Sequence, residues 1–385
     1  MNGETPMSAE PQRKPTLDNE TNAESVAASG WQQGVLDLPQ PFRLESGERL
    51  ENARLAWQCA GPVDAPLIVV LGGISAHSRP CSAEGDGWWE SQCGEGKTLD
   101  TLRYRVLGID WLGGCDKSSG PRSHEANPSR EARLSLPLPC AAGEGKGWGQ
   151  TFPAISTADQ ARALLLLLNR LGVRRVHLLV GASYGGNVAQ HLAALLGHRL
   201  RKLVLLSAAH CPAQFGLGLR HIQRAILDLG GDSPEALALA RSLAVLCYRT
   251  TEGVEQRFAE DPSRDGRSRP SVASAALGLL PGGVVGWLEH HGKKFSRRFD
   301  TDAYRCLGRS LDGHRIDPET IHAPTTVFAV REDLTVPLSL LHEYAARAGS
   351  SCELVEISSA HGHDAFLKEE AAVSTILADA LEPTP

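Results

Sequence analysis

Val176-His177-Leu178-Leu179-Val180-Gly181-Ala182-Ser183-Tyr184-Gly185-Gly186-Asn187-Val188-Ala189-Gln190-His191-Leu192-Ala193-Ala194-Leu195-Leu196 decides the fold. An apolar run leads into Gly-Ala-Ser-Tyr-Gly-Gly, and a helix-compatible stretch follows it. This is the G-x-S-x-G pattern in strand–turn–helix context, the elbow that lifts a nucleophilic serine above a sheet edge. Small residues flank Ser183 because side chains would collide in so tight a turn. The pattern by itself arises by chance in glycine-rich chains. The strand before it and the helix after it make Ser183 a candidate nucleophile.

Working outward, the chain alternates strands and helices. Leu67–Leu71 is a continuous apolar run ending in Gly72-Gly73, as expected of a parallel strand buried on both faces. Tyr104–Ile109, Leu203–Leu206, Thr325–Val330 and Glu353–Ile357 read as further strands. Ser156 and Asp159 form a capping box before a helix that presents Ala161, Leu164, Leu165, Leu168 and Leu171 on one face. Between about Ala209 and Thr320 the strand signal disappears, and helical segments appear at Leu219–Leu229, Pro234–Leu246 and Val284–Phe295. The fold expected is α/β, of the α/β-hydrolase type: a mostly parallel sheet flanked by helices, with an inserted helical cap. The core is expected at 31–208 and 321–385, and the cap at 209–320. Residues 1–30 lack apolar periodicity and read as a disordered tail, with Met7 an equally good start. The turn-rich segments 120–149 and 261–271 read as irregular loops.

The bulk composition narrows the partners. The chain has 385 residues, 42% hydrophobic and 22% charged, with net charge −6. A mildly acidic balance gives no reason to expect nucleic acid or an anionic membrane. The N-terminus has no basic segment followed by an apolar core, and no run is long enough for a membrane helix. Nine scattered cysteines without a C-x-x-C pair point to a reducing cytoplasm rather than a disulfide framework. His290-His291 and His361-x-His363 lack a carboxylate or cysteine grouping to complete a metal site, so none is expected.

A serine hydroxyl needs a base, and the base an orienting acid, in the chain order Ser, Asp or Glu, His on this fold. Asp333 follows the strand ending at Val330, with Glu332 its competitor. His363 follows the strand ending at Ile357, with His361 its competitor. The oxyanion of a tetrahedral intermediate needs backbone donors. The amide of Tyr184 and that of Ile74, in Gly72-Gly73-Ile74-Ser75-Ala76, are the candidates.

Further motifs run along the chain. They include Gly87-Trp88-Trp89, Leu112-Gly113-Gly114-Cys115 with Ser119-Gly120-Pro121, and Phe152-Pro153-Ala154-Ile155. Gln223-Arg224-Ala225-Ile226, Leu239-Ala240-Arg241, Tyr248-Arg249 and Leu288-Glu289-His290-His291-Gly292 follow. Phe295, Arg298-Phe299-Asp300, Tyr304 and Gly362-His363-Asp364-Ala365-Phe366-Leu367 complete the set. With these the chain, from roughly Pro41 to Leu381, resembles the homoserine O-acyltransferase family of methionine biosynthesis.

The resemblance implies His363 as base, from the Gly-His-Asp motif, and Asp333 as acid, four residues before Pro337. It implies that Arg224 binds the homoserine carboxylate and Asp364 its ammonium. It implies L-homoserine and acyl-CoA as small-molecule substrates, no permanently bound cofactor, a ping-pong acyl-serine route and a homodimer. Its departures are the shorter cap, the Gly72-Gly73-Ile74-Ser75 loop and the Ile109-Asp110-Trp111 segment. The loop resembles that of succinyl-CoA users, so a succinyl donor is expected ahead of acetyl, with Arg79, Arg241 and Arg249 available for its extra carboxylate. A serine O-acyltransferase of the same family and an α/β-hydrolase-fold esterase are the alternative enzymes. A noncatalytic scaffold ranks below both, because all three members of the triad are present.

Overall fold

The computed structural model describes residues 31–121, 152–259 and 283–382. The expected disordered tail at 1–30 and the loop at 261–271 lie outside the described residues, as does nearly all of the loop at 120–149. The centre of the molecule is one eight-stranded sheet. Its strands are β1 (Trp31–Asp37), β2 (Arg54–Ala60), β3 (Leu67–Leu71), β4 (Arg105–Ile109), β5 (Leu178–Ala182), β6 (Leu203–Leu206), β7 (Thr325–Val330) and β8 (Cys352–Ile357). Their order across the sheet is β1-β2-β4-β3-β5-β6-β7-β8. From β4 to β8 all neighbours are parallel, whereas β1, β2 and β4 pair antiparallel. The two antiparallel strands are an addition to the elements legible in the sequence. Residues of β1 alternate between half-buried and exposed, as an edge strand allows, so no apolar run marks them.

The five-residue strands β3, β4 and β5 are buried at every position because both faces of the sheet are covered. Successive residues feed two different cores. Val69, Leu107, Leu179 and Leu205 pack on one face with helices α1 (Thr157–Arg170) and α2 (Tyr184–Leu196). Ile68, Val106, Val180 and Val204 pack on the other face with Trp89 and with Val373, Ile376 and Leu377 of the C-terminal helix Glu370–Leu381. The capping box forms as read. Ser156 Oγ accepts from the Asp159 amide at 3.0 Å, and Asp159 Oδ2 accepts from the Ser156 amide at 3.0 Å.

After β6 the chain leaves the sheet for a run of helices. These are α3 (Gln214–Leu229), α4 (Pro234–Cys247), α5 (Thr251–Phe258), α6 (Val284–Ser296) and α7 (Thr301–Asp312). Ser233 and Asp300 cap α4 and α7 with side-chain acceptors. The chain then returns to β7, helix α8 (Leu338–Ala348) and β8. Among the described residues of 209–320 no strand of the sheet occurs.

The turn from β5 into α2 depends on missing side chains. A Cβ at Gly185 would sit 2.2 Å from the Leu71 carbonyl oxygen, and one at Gly181 would sit 2.5 Å from the Gly185 oxygen. Both obstacles are backbone, so neither can swing away. Gly185→Ala should therefore lower stability by about 1–3 kcal/mol through overpacking. Urea denaturation checks this, and an unchanged midpoint would contradict the close approach.

Candidate active site

Ser183 opens α2 with φ 52° and ψ −119°, a left-handed conformation that an L-serine adopts only under constraint. Its amide donates to the Leu206 oxygen at 2.9 Å, and its carbonyl accepts from the Gly186 amide at 2.9 Å and the Asn187 amide at 3.1 Å. Strand β6 on one side and the first turn of α2 on the other thus hold the strained residue in place.

Two other loops converge on it. His363 Nε2 lies 2.8 Å from Ser183 Oγ, and His363 Nδ1 lies 2.7 Å from Asp333 Oδ2. The structure brings Ser183, His363 and Asp333 into one hydrogen-bonded line, although 150 and 30 residues separate them in sequence. Asp333 is positioned by its own turn. Its Oδ1 accepts from the Thr335 amide at 2.8 Å, Thr335 Oγ1 at 2.9 Å and the Val336 amide at 3.0 Å. An aspartate that bonds the amide two residues on makes a local Asx-turn, and Asp-Leu-Thr carries that signal in sequence. The competitors go elsewhere. Glu332 accepts from the Ser359 amide at 2.9 Å and from the Ser358 hydroxyl, and His361 Nδ1 meets Arg249 Nη1 at 2.7 Å.

His363 is buried, and burial alone pushes an imidazole pKa down. The charge of Asp333 and its hydrogen bond override that, and the net pKa lies above the ordinary imidazole value. Tyr248 covers the ring at 5.3 Å between centroids, and the His363 amide donates to the Tyr248 carbonyl at 2.9 Å. The helical insertion therefore touches the base directly.

Of the two expected oxyanion donors, Tyr184 directly follows Ser183 in the chain and Ile74 lies in the loop after β3. The Tyr184 and Ile74 amides bond to no acceptor among the described residues, and Ile74 lines the same cavity as Ser183. The Tyr184 side chain points the other way. Its hydroxyl meets Ser310 Oγ at 2.9 Å and Gln160 Nε2 at 3.2 Å, and burial raises its pKa. The loop carrying Ile74 is held by Asp110 and Trp111, to which the sequence assigned no role. Asp110 Oδ1 accepts from the Ser78 amide at 2.6 Å, and Trp111 Nε1 donates to the Gly73 oxygen at 3.2 Å. The Ile109-Asp110-Trp111 departure is thus a brace for this loop.

A cavity of about 860 Å³, counting its open mouth, joins Ser183 and His363 to Arg224, Gln223, Asn187 and Thr335. Arg224 lines it, with Nη1 2.7 Å from Asp312 Oδ2 on α7. Asp364 does not line it. Its Oδ2 pairs with Arg249 Nη2 at 2.9 Å, leaving Oδ1 without a hydrogen bond among the described residues. Nor do the three arginines proposed for an extra carboxylate line it. Arg79 pairs with Asp86 at the surface, Arg249 is occupied as above, and Arg241 lies 4.8 Å over the Phe295 ring. Among the described residues no cluster of three or more metal-ligating side chains occurs, and no helix is long and apolar enough to cross a membrane.

Sheet order, elbow and triad geometry define an α/β hydrolase fold built around a serine nucleophile, and a family model described as the alpha/beta hydrolase fold matches residues 66–370. Within that fold the chain belongs to the homoserine O-acyltransferase family. It is 34% identical over 376 residues to a homoserine O-succinyltransferase of Xanthomonas campestris pv. campestris, covering 96% of this chain and 89% of the relative. A homoserine O-acetyltransferase of Thermobifida fusca is 29% identical over 402 residues, covering 95% and 100%. Among solved structures, homoserine O-acetyltransferase from Staphylococcus aureus has a TM-score of 0.73 at 23% identity, covering 92% of this chain and 96% of that one. Esterase E22 has a TM-score of 0.75 at 20% identity, covering 91% and 100%. At these identities the structural likeness is one of fold.

The raised pKa of His363 has a kinetic sign. The base works only when neutral, so reactivity of Ser183 should fall as pH drops through a midpoint above about 6.5, the unperturbed imidazole value. Covalent labelling by a serine-directed phosphonate reads this without any assumed substrate. In the same assay Asp333→Asn should slow labelling by roughly two orders of magnitude or more, because the wrong imidazole tautomer then faces Ser183. A midpoint below the unperturbed value, or an unaffected variant, would contradict the hydrogen-bonded line.

Proposed function

We propose that the protein transfers an acyl group from acyl-CoA to the hydroxyl of L-homoserine by a ping-pong route. The observation that carries this reading is the Ser183–His363–Asp333 line opening on one cavity with Arg224, in a chain 34% identical to a homoserine O-succinyltransferase over nearly its whole length.

Ser183 Oγ attacks the thioester carbonyl while its proton passes to His363 Nε2. Asp333 holds the imidazole in the tautomer that accepts there and balances the imidazolium that forms. The Tyr184 and Ile74 amides receive the oxyanion charge. The carbon–sulfur bond breaks, the imidazolium proton goes to the thiolate, and CoA leaves. The homoserine hydroxyl then gives its proton to His363 and attacks the acyl-serine, and Ser183 regains a proton as the ester departs.

Arg224 is the proposed receptor of the homoserine carboxylate, since a guanidinium fork matches a carboxylate in a bidentate way. Asp364, beside the base, is the proposed acceptor of the ammonium through Oδ1, with Arg249 keeping Oδ2. A transferase has to keep water from the acyl-serine. Tyr248 and helices α3 and α7, which line the cavity, supply the cover. The donor proposed is succinyl-CoA ahead of acetyl-CoA, in line with the relative from Xanthomonas campestris pv. campestris.

The test is thiol release from acetyl-CoA and from succinyl-CoA, each with and without L-homoserine, and with L-serine as a second acceptor. Rapid release that requires homoserine is expected. Release that requires serine instead, or ester hydrolysis with no acceptor-dependent release, would overturn the reading in favour of a serine acyltransferase or an esterase.

A further inference from the structure

Stabilising an oxyanion depends on the direction of its N–H donors, and one buried ring meets the supports of both candidates. The Ile74 N–H belongs to the peptide unit whose carbonyl is that of Gly73. This unit is trans and planar, so its C=O and N–H point in opposite directions. Whatever fixes the carbonyl therefore fixes the donor. Two groups grip the Gly73 oxygen, the Ala76 amide at 2.9 Å and Trp111 Nε1 at 3.2 Å. The Ala76 bond lies within the turn and moves with it. Among the described residues, the indole is the anchor of this carbonyl that comes from outside the loop.

That anchor is itself fixed. Trp111 follows β4 and is 3% exposed, and its carbonyl accepts from the Gly114 amide at 3.0 Å. The Asp110 amide donates to the Ala56 oxygen at 3.0 Å, and the Asp110 carbonyl accepts from Ser118 Oγ at 2.7 Å. The same indole also meets the residue that carries the other donor. Its ring packs edge-on against Tyr184, with centroids 4.9 Å apart at 85°. Gln160 closes the link, because its Nε2 donates to the Leu112 oxygen at 2.7 Å and to the Tyr184 hydroxyl at 3.2 Å. Trp111 does not line the cavity, so it has no direct reach to a substrate.

We infer that Trp111 is a positioning residue of this active site: its indole N–H sets the Gly73–Ile74 peptide so that the Ile74 amide faces the oxyanion, and its ring steadies Tyr184. The inference rests on the acyl-serine chemistry proposed above and adds what holds its oxyanion donors in place. It requires no particular donor or acceptor. Donors fixed in advance stabilise a tetrahedral intermediate because they need not reorient as charge appears. Without the indole, little resists rotation of this unit, since Gly73 has no Cβ and open space surrounds the place of one. The loss then falls on the transition state and leaves substrate binding intact.

The test uses the full-length protein with Trp111→Phe, which keeps a ring and removes the N–H, and with Trp111→3-benzothienylalanine, which keeps the indole shape and replaces only the N–H by sulfur. The second variant conserves volume, so it reads the N–H even if Trp111→Phe unfolds. Labelling by a serine-directed phosphonate should slow roughly tenfold in both, a fraction of the loss when an oxyanion donor is deleted outright. Its pH midpoint should stay in place, because His363 and Asp333 are untouched. Phenylboronic acid gives a second readout. Ser183 Oγ adds to its boron, the serine proton passes to His363, and the boron becomes a tetrahedral anion with an oxygen at the oxyanion position. Its Kd should rise by a similar factor, and with acyl-CoA and homoserine the loss should lie in kcat rather than in either KM. Unchanged labelling and boronate affinity in the 3-benzothienylalanine variant, a loss carried by KM, or a shifted pH midpoint would overturn the assignment. Failure of the phosphonate to label the unaltered protein would instead overturn the acyl-serine reading itself.

Discussion

The rest of the site is arranged around the backbone strain at Ser183. A left-handed serine is tolerable only where its surroundings leave no alternative. Here the Leu206 carbonyl takes its amide, the first turn of α2 takes its carbonyl, and Gly185 lies against Leu71. Three neighbouring strands, β3, β5 and β6, therefore enter one turn. A side chain at Gly181 or Gly185 would strike backbone and move the nucleophile away from the sheet edge. Because the turn is held by main chain rather than by flexible side chains, the hydroxyl has a defined position, and His363 and Ile74 can be set around it.

Electrostatics around that position are layered. Asp333 lies behind His363, spends one oxygen on its own turn and turns the other to the imidazole, overriding the desolvation of a buried ring. The helical insertion adds a second layer, with Tyr248 over the ring and with Arg220 and Arg224, both paired to Asp312, along the cavity wall. Sheet-edge loops thus supply the reacting groups, while the helices supply cover and charge for the substrate. Esterases and homoserine acyltransferases share the sheet and elbow, as the likeness to both shows. A difference in chemistry between them has therefore to be sought in the surroundings of the serine.

Legibility followed the range of the forces involved. The buried runs of β3–β7 and the elbow could be read directly, because burial on both faces requires an uninterrupted apolar run. The edge strand β1 and its neighbour β2 carry no such run and emerge only from pairing, Trp57 with Ile109 and Val35 with Ala56. The Asx-turn of Asp333 was written in Asp-Leu-Thr, and the four-residue spacing of Arg220 and Arg224 was equally visible. Their common partner was not, since Asp312 lies on a helix 88 residues beyond Arg224. Spacing also left Glu332 beside Asp333 and His361 beside His363 as open pairs. Only the directions in which the loops leave the sheet separate them.

What the amino-acid sequence determined by itself were features that a single segment satisfies alone: the parallel strands, the capping box at Ser156, the strained turn at Ser183 and the motifs of the family. Tertiary structure decided which oxygen of Asp333 reaches His363 and that Arg249 engages Asp364. It also decided that Trp111 reaches the Gly73 carbonyl, and that none of Arg79, Arg241 and Arg249 shares the cavity with Arg224. The reason is physical. A turn or an apolar run is fixed by sterics and burial within a few residues, whereas the partner of a charge depends on which distant elements packing brings within about 3 Å of it.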